Sequence, residues 1–471
     1  MAPISKEKKK SYAMLIVLLI VFLGAFAFIG PRIYVDSDQY IAMHIHRDPL
    51  YPLFLALLRK VFGNGWLIAM GILQNIFAAV TIWLFAEYVG KKFALGFWQK
   101  TVVVGFQLIP HIITPMFSLT RVFLASGVLT EGISIPLLML FFICSFEAFT
   151  ATDRRTIIKA AAGAWGTAFL LALTRGQMMA LIFVWTVVLG LKTLLHKQIF
   201  RKKLLYLLVI FLVTASTFGL RSVVVKTYNY AVHGYYINST NGTVHVLANI
   251  IYSSDREDGE NITDEEAREW FYRMYDIADS KTANYKYAGE TLADKVAHIE
   301  EWHDTINFDI VEAELRVHAQ SMTHDYIAQD IWADEIAGKI IAGILPECLG
   351  QWLVNYMALG VCGLVRNIAI FHPLISWVAI ALYIWAIGMF FGGLIHARRK
   401  KKKIENAVWF MGLTLLIIFA NAFAVSIVIM PISRYMIYGF SLFYSGAWIL
   451  LIMAIRKWND RRAAKEQVAD R

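Results

Sequence analysis

The stretch PRIYVDSDQYIAMHIHRDPLYPLFLALLRKVFG, Pro31 to Gly63, follows the first apolar run directly and decides how the rest of the chain is read. Asp36, Asp38, Tyr40, His44, His46, Arg47 and Asp48 crowd into thirteen positions, and at Pro49 the sequence turns apolar again. Charged groups at a membrane edge cost free energy unless they meet water, a partner or a substrate, so this is a candidate functional loop. A helix starting near Asp36 puts Asp36, Tyr40 and His44 at i, i+4 and i+8, roughly on one face. The competing reading is a solvated loop between two spans. From Pro49 to Phe62 the stretch has the length of an interfacial helix, interrupted too early by Arg59-Lys60 to cross a bilayer.

Composition sets the class around that loop. The chain has 471 residues, is 58% hydrophobic and 17% charged, and has a mean hydropathy of +0.54. Those values exclude an ordinary soluble domain and point to an all-α, polytopic membrane protein. The net charge of +10 is unevenly placed. Between Asp255 and Glu347 there are 23 acidic and 8 basic residues, while elsewhere bases gather in short clusters beside apolar runs. That is a topology signal and no nucleic-acid footprint. Cys144, Cys348 and Cys362 have neither disulfide-framework nor zinc spacing and read as small apolar fillers.

Walking outward, MAPISKEKKK is a basic head before the apolar run Tyr12 to Ile29, read as an uncleaved first helix with its amino end in the cytoplasm. Further spans are expected at Trp66 to Val89, Trp98 to Leu119, Glu131 to Thr150, Ile157 to Thr174, Gln177 to Leu195, Leu204 to Leu220, Pro373 to Ile395, Ala407 to Met430 and Phe440 to Ile455. Pro110, His111 and Pro115 are expected to break the outer end of the second of these. The total is about ten, with both termini in the cytoplasm and every cytoplasmic loop rich in Lys and Arg. The Leu349 to Ile370 segment is apolar but interrupted. Were it a span, RRKKKK would lie outside, so it is read as interfacial or re-entrant.

Between Ser222 and Glu347 hydropathy collapses. The insert is aromatic and acidic, with helix-like stretches such as ITDEEAREWFYRMYDIAD, where Thr263 is the expected N-cap. The expected organisation is an N-terminal transmembrane module (1–222), a mostly helical extracytoplasmic domain (223–348) and a C-terminal transmembrane module (349–471). This topology puts Asp36 to Asp48, Arg121, Glu131, Arg175, the insert, Arg434 and Tyr435 on one, outer side, and leaves basic anchors on the other.

At this point the motifs carry a likeness. Asp36-Ser37-Asp38-Gln39-Tyr40, then Asp48-Pro49-Leu50-Tyr51-Pro52 and Phe62-Gly63, resemble the first outer loop of the GT-C membrane glycosyltransferases. LTEGISIPLLMLFF resembles the acidic residue opening a span in that family, LLALTRGQ its Leu-Thr-Arg-Pro turn with Gly176 in place of Pro, and PISRYMIYGFSLFY its late Arg-Tyr loop. The likeness covers about the first 200 residues and the last 50, and the insert stands where many relatives have none. It implies a GT-C-like bundle of the mannosyltransferase and aminoarabinose-transferase kind. Such an enzyme takes a sugar from a polyprenyl-phosphate donor and passes it to a lipid, glycan or protein acceptor outside the plasma membrane.

That chemistry needs a base for the acceptor hydroxyl and cations for the leaving phosphate. The resemblance makes Asp36 the candidate base, with Asp38 in reserve, and burial is expected to raise its pKa. Arg175 and Arg434 suit a lipid phosphate, with span-end snorkelling as the plain alternative. Tyr40, Arg47, Asp48, Tyr51, Glu131 and Tyr435 complete the expected substrate-binding set. His44, His46 and Asp48 alternate as in a metal-binding strand, and an oxygen-rich Mg²⁺ or Mn²⁺ site using Asp36 or Glu131 is equally compatible, so Asp36, His44, His46 and Glu131 are the candidate metal ligands. A flippase of lipid-linked saccharides is the alternative function, although such proteins hold charges at mid-membrane and often show repeated halves.

Overall fold

The computed structural model describes residues 6–113, 123–196, 199–369, 373–428 and 430–469. The expected Pro115 and Arg121 fall outside these residues. Among the described residues all regular secondary structure is helical, and the one β contact is an isolated bridge between Arg32 and Gly127. Long apolar runs take this form because a helix satisfies every backbone N–H and C=O internally, which lipid cannot do.

Among the described residues nine helical stretches are long and apolar enough to cross a membrane, so the chain is an integral, multi-pass membrane protein. Eight of them contain or overlap expected spans; the ninth is Tyr326–Arg366. The expected spans at 98–119 and 157–174 are not among the nine. The first contributes Phe97–Leu108 and a π-helical turn, Ile109–Ile113, before the described residues stop. The second is the helix Arg154–Ala172, which carries Arg154, Arg155 and Lys159 at its start. The helix expected from Pro49 to Phe62 is present as Leu50–Phe62. It buries Tyr51, Leu55 and Leu58 and leaves Leu53, Leu57, Val61 and Phe62 exposed, an apolar face suited to lipid.

The bundle sorts its charges to two ends. At the basic end Lys92 donates to Glu147 at 2.7 Å, Lys192 caps the carbonyls of Phe149 and Ala151, and Arg456 donates to the carbonyls of Phe93 and Ala94. The other end carries the first loop, the insert and the Ser433–Met436 turn. Between them lies a core of Phe85, Phe142, Phe146 and Phe410, whose rings meet edge to face or stacked.

The insert has its own core, built on Leu247, Ile251, Phe271, Tyr275, Ile310, Leu315, Ile336 and Ile340. Its helices are Gly242–Tyr252, Glu265–Ser280, Leu292–Asp304 and Ala313–Met322. Asp264, not Thr263, caps the second of these, because its carboxylate accepts from the Ala267 N–H. The expected domain boundaries at 222/223 and 348/349 both lie inside continuous helices, Phe200–His233 and Tyr326–Arg366. The insert is therefore continuous with the bundle. The 41-residue Tyr326–Arg366 helix is about 60 Å long. It starts beside the first loop, through His46 and Asp330, and ends beside Glu300 and the Pro431 carbonyl. Both of its ends thus meet residues of the same end of the bundle. Length and hydropathy admit it as a span.

Candidate functional site

The first loop is held by backbone pairing before any charge is considered. The Arg32 N–H donates to the Ser126 carbonyl at 3.0 Å and the Val128 N–H donates to the Arg32 carbonyl at 2.9 Å. Ser37, fully buried, donates to the Val128 carbonyl at 2.8 Å. These contacts lay the loop alongside the residues that lead into Glu131. Gln74 supports the same segment from below, donating to the carbonyls of Ala125 and Gly127 and accepting from the Tyr51 hydroxyl at 2.9 Å.

Five charged side chains from four separated segments then converge. Arg434 donates from Nε to Glu131 Oε1 and from Nη1 to Asp36 Oδ2, each at 2.7 Å. Arg175 Nη1 reaches the same Glu131 oxygen at 2.8 Å, and Arg47 Nη2 reaches Asp36 Oδ1 at 3.0 Å. Glu131 is completely buried, and Asp36 is partly exposed at the mouth of the cluster. Among the described residues three guanidinium groups face two carboxylates, leaving an excess of one positive charge. Arg434 Nη2 is buried with no hydrogen-bond partner among the described residues. Tyr435 lies beneath both Arg175 and Arg434, with guanidinium carbons 4.7 and 5.8 Å from its ring centre.

Comparison with protein-family models, with curated proteins and with solved structures returns no match. The site is therefore read from its own geometry.

Of the residues singled out in the sequence, Asp36, Arg47, Glu131, Arg175, Arg434 and Tyr435 come together in this cluster. Tyr40 lies beneath it, buried under Arg47 and edge-on to Tyr51 with ring centres 5.3 Å apart. Asp38 is exposed on the short helix Ser37–Ile41 and takes no part in the cluster. Asp48 pairs with Arg221 away from it. His44 does not share the face of Asp36 and Tyr40, because Met43 adopts a left-handed φ of 56° and ends the helix. His44 instead packs on Tyr326, and His46 Nε2 lies 2.6 Å from Asp330 Oδ2.

Electrostatics correct one expectation. Burial alone raises the Asp36 carboxyl, but Arg47 and Arg434 outweigh it and hold Asp36 below its ordinary value of 3.8. Burial does prevail at Asp48, which is raised despite Arg221. His44 is lowered to about 4 by burial, reinforced by neighbouring His46.

The proposed metal ligands do not assemble. Among the described residues no three His, Cys, Asp or Glu side chains converge as a ligand group. Asp36 and Glu131 are joined by a guanidinium that would repel a divalent ion, and the two histidines face the insert. Asp36, Glu131, His44 and His46 therefore do not fit a shared metal in this arrangement. The three cysteines are unpaired.

Sequence reasoning missed two contributors. Tyr438 lies one helical turn beyond Arg434; its hydroxyl sits 2.8 Å from Ser134 and 3.5 Å from Arg175 Nη1. Its place in the motif SRYMIY was the available signal. Asp330, buried on the Tyr326–Arg366 helix, carried no local signal that set it apart from its neighbours Asp325, Asp334 and Glu335.

Proposed function

We propose that the chain is a membrane glycosyltransferase with a GT-C-like bundle. It moves a sugar from a polyprenyl-phosphate donor to an extracytoplasmic lipid, glycan or protein acceptor. The observation that carries this reading is the charge cluster of Asp36, Arg47, Glu131, Arg175 and Arg434, which among the described residues has one surplus positive charge and a buried guanidinium N–H left unpartnered. A sugar phosphodiester carries one negative charge, and guanidinium groups pair with phosphate oxygens through short, charge-assisted bonds. The basic end of the bundle is cytoplasmic in this reading, as the positive-inside rule requires, and the cluster faces the opposite compartment.

The chemistry follows from the residues. The acceptor hydroxyl oxygen attacks the anomeric carbon, and its proton passes to Asp36. The bond between that carbon and the phosphate oxygen breaks, and its electron pair stays on the polyprenyl phosphate. Arg434 and Arg175 stabilise the charge that builds on the leaving phosphate. Asp36 is a poor base while two arginines hold it. When the donor phosphate competes for Arg434, that hold loosens and Asp36 becomes more basic at the moment of need. Glu131 keeps the two arginines apart and aimed, and no step is routed through a metal.

The test uses purified wild type, Asp36→Asn and Arg434→Ala, supplied with a polyprenyl-phosphate sugar and membrane acceptors, following donor binding and sugar release separately. Asp36→Asn should lose on the order of 10²- to 10⁴-fold in transfer with donor binding largely kept, because Asn is nearly isosteric but takes no proton. Arg434→Ala should mainly weaken donor binding. Transfer by Asp36→Asn at the wild-type rate sinks the assignment of the base. Lipid movement without a glycosylated product, in wild type as well, favours the flippase.

A further inference from the structure

The first loop is clamped by the insert at one short segment. The Tyr326–Arg366 helix presents Tyr326 and Asp330, one turn apart, to His44 and His46 of the loop. Asp330 is 7% exposed, lies 2.6 Å from His46 Nε2 and also accepts from the Thr240 hydroxyl at 3.2 Å. From the other side His233 Nε2 lies 2.9 Å from the Met43 carbonyl, and Ile45 is fully buried. The residue after His46 is Arg47. Arg47 turns back to donate to Gln39 at 2.8 Å and to Asp36 at 3.0 Å. A contact made 284 residues away in sequence thus ends one residue from the group that holds Asp36.

We infer that Asp330 is a positioning residue for Asp36: through His46 it fixes the loop conformation in which Arg47 and Arg434 hold Asp36 between them. This rests on the proposed transfer reaction for its kinetic consequence, but the mechanical link stands on geometry alone. Asp330 is outside the charge cluster, and its removal leaves all five cluster residues chemically intact.

Full-length protein in lipid nanodiscs is compared as wild type, Asp330→Ala, Asp330→Asn and His46→Leu. Two readouts are taken: amide hydrogen exchange across residues 38–48, and kcat and donor KM for sugar transfer. Asp330→Ala and His46→Leu should both speed exchange in that segment and lower kcat on the order of 10- to 100-fold, since misplacing a reacting group by about 1 Å costs that much. Donor KM should stay within about twofold, because the arginines remain. Asp330→Asn retains an oxygen that accepts from His46 and should restore both readouts to near wild type, which a role in bulk stability or buried charge does not predict. Wild-type exchange and kcat in His46→Leu, or an Asp330→Asn as impaired as Asp330→Ala, overturns the inference. If wild type transfers no sugar, the proposed function fails, and exchange alone then decides the link. In that case faster exchange in Asp330→Ala and His46→Leu but not in Asp330→Asn upholds it, and any other pattern overturns it.

Discussion

Arg434→Ala tests the charge cluster as a structural unit, independently of any substrate. The substitution removes two charge-assisted hydrogen bonds of 2.7 Å, one to the fully buried Glu131 and one to Asp36. A hydrogen bond to a charged group contributes about 1.5–3 kcal/mol, so losing both sets a ceiling of about 6 kcal/mol. Neither carboxylate is orphaned, however. Glu131 keeps Arg175 at 2.8 Å and the Thr130 hydroxyl at 3.2 Å, and Asp36 keeps Arg47 at 3.0 Å. Relief of the repulsion between Arg434 and Arg175 offsets a further part. The expected loss is therefore about 2–4 kcal/mol, well short of the ceiling. The assay is reversible unfolding of the purified protein in mixed micelles, followed by tryptophan fluorescence against rising SDS. Adding Glu131→Gln removes the buried anion that lost a partner. The double variant should then be more stable than the sum of the single losses by about 1–3 kcal/mol, the signature of residues in one network. A destabilisation below about 0.5 kcal/mol for Arg434→Ala, or strict additivity in the double variant, refutes the cluster as drawn.

Other expectations follow from the same geometry. A cysteine introduced at the exposed Glu260 should react with a membrane-impermeant thiol reagent added to intact cells, and one at the exposed Lys401 should react only after lysis; labelling at position 401 from outside reverses the assigned orientation. His44 should make stability fall as pH drops. Its folded value of about 4 lies below its ordinary 6.5, so between those values the unfolded chain binds the proton more readily and the native state is penalised. That contribution is complete above about pH 6.5, is lost as pH falls toward about 4, and levels off below it; in His44→Asn this slope of the unfolding midpoint against pH should flatten.

Eight of the nine apolar helices among the described residues were legible in the sequence alone, because a run of apolar residues satisfying its backbone in a helix is a local property that needs no partner to be recognised; the stretches expected at 98–119 and 157–174 are not among the nine. The separate helix Leu50–Phe62 was legible too, from the apolar run after Pro49 that Arg59-Lys60 interrupts. Each of these rests on composition over one or two dozen residues. What the tertiary structure decided is which polar side chains meet. Arg434 joins Asp36 and Glu131 across separations of 398 and 303 residues, and no pattern within a helical turn encodes such a pairing. The fate of Asp36 shows why this matters: burial was legible and argues for a raised pKa, yet Arg47 from the same loop and Arg434 from 398 residues away together reverse the sign. His44 shows the same limit at short range, because the helical face that would align it with Asp36 ends at the left-handed backbone of Met43. The insert was legible as helical and aromatic, but its hold on the first loop through Asp330 was not. A single buried carboxylate acquires its role only from the histidine that the fold brings to within 2.6 Å of it.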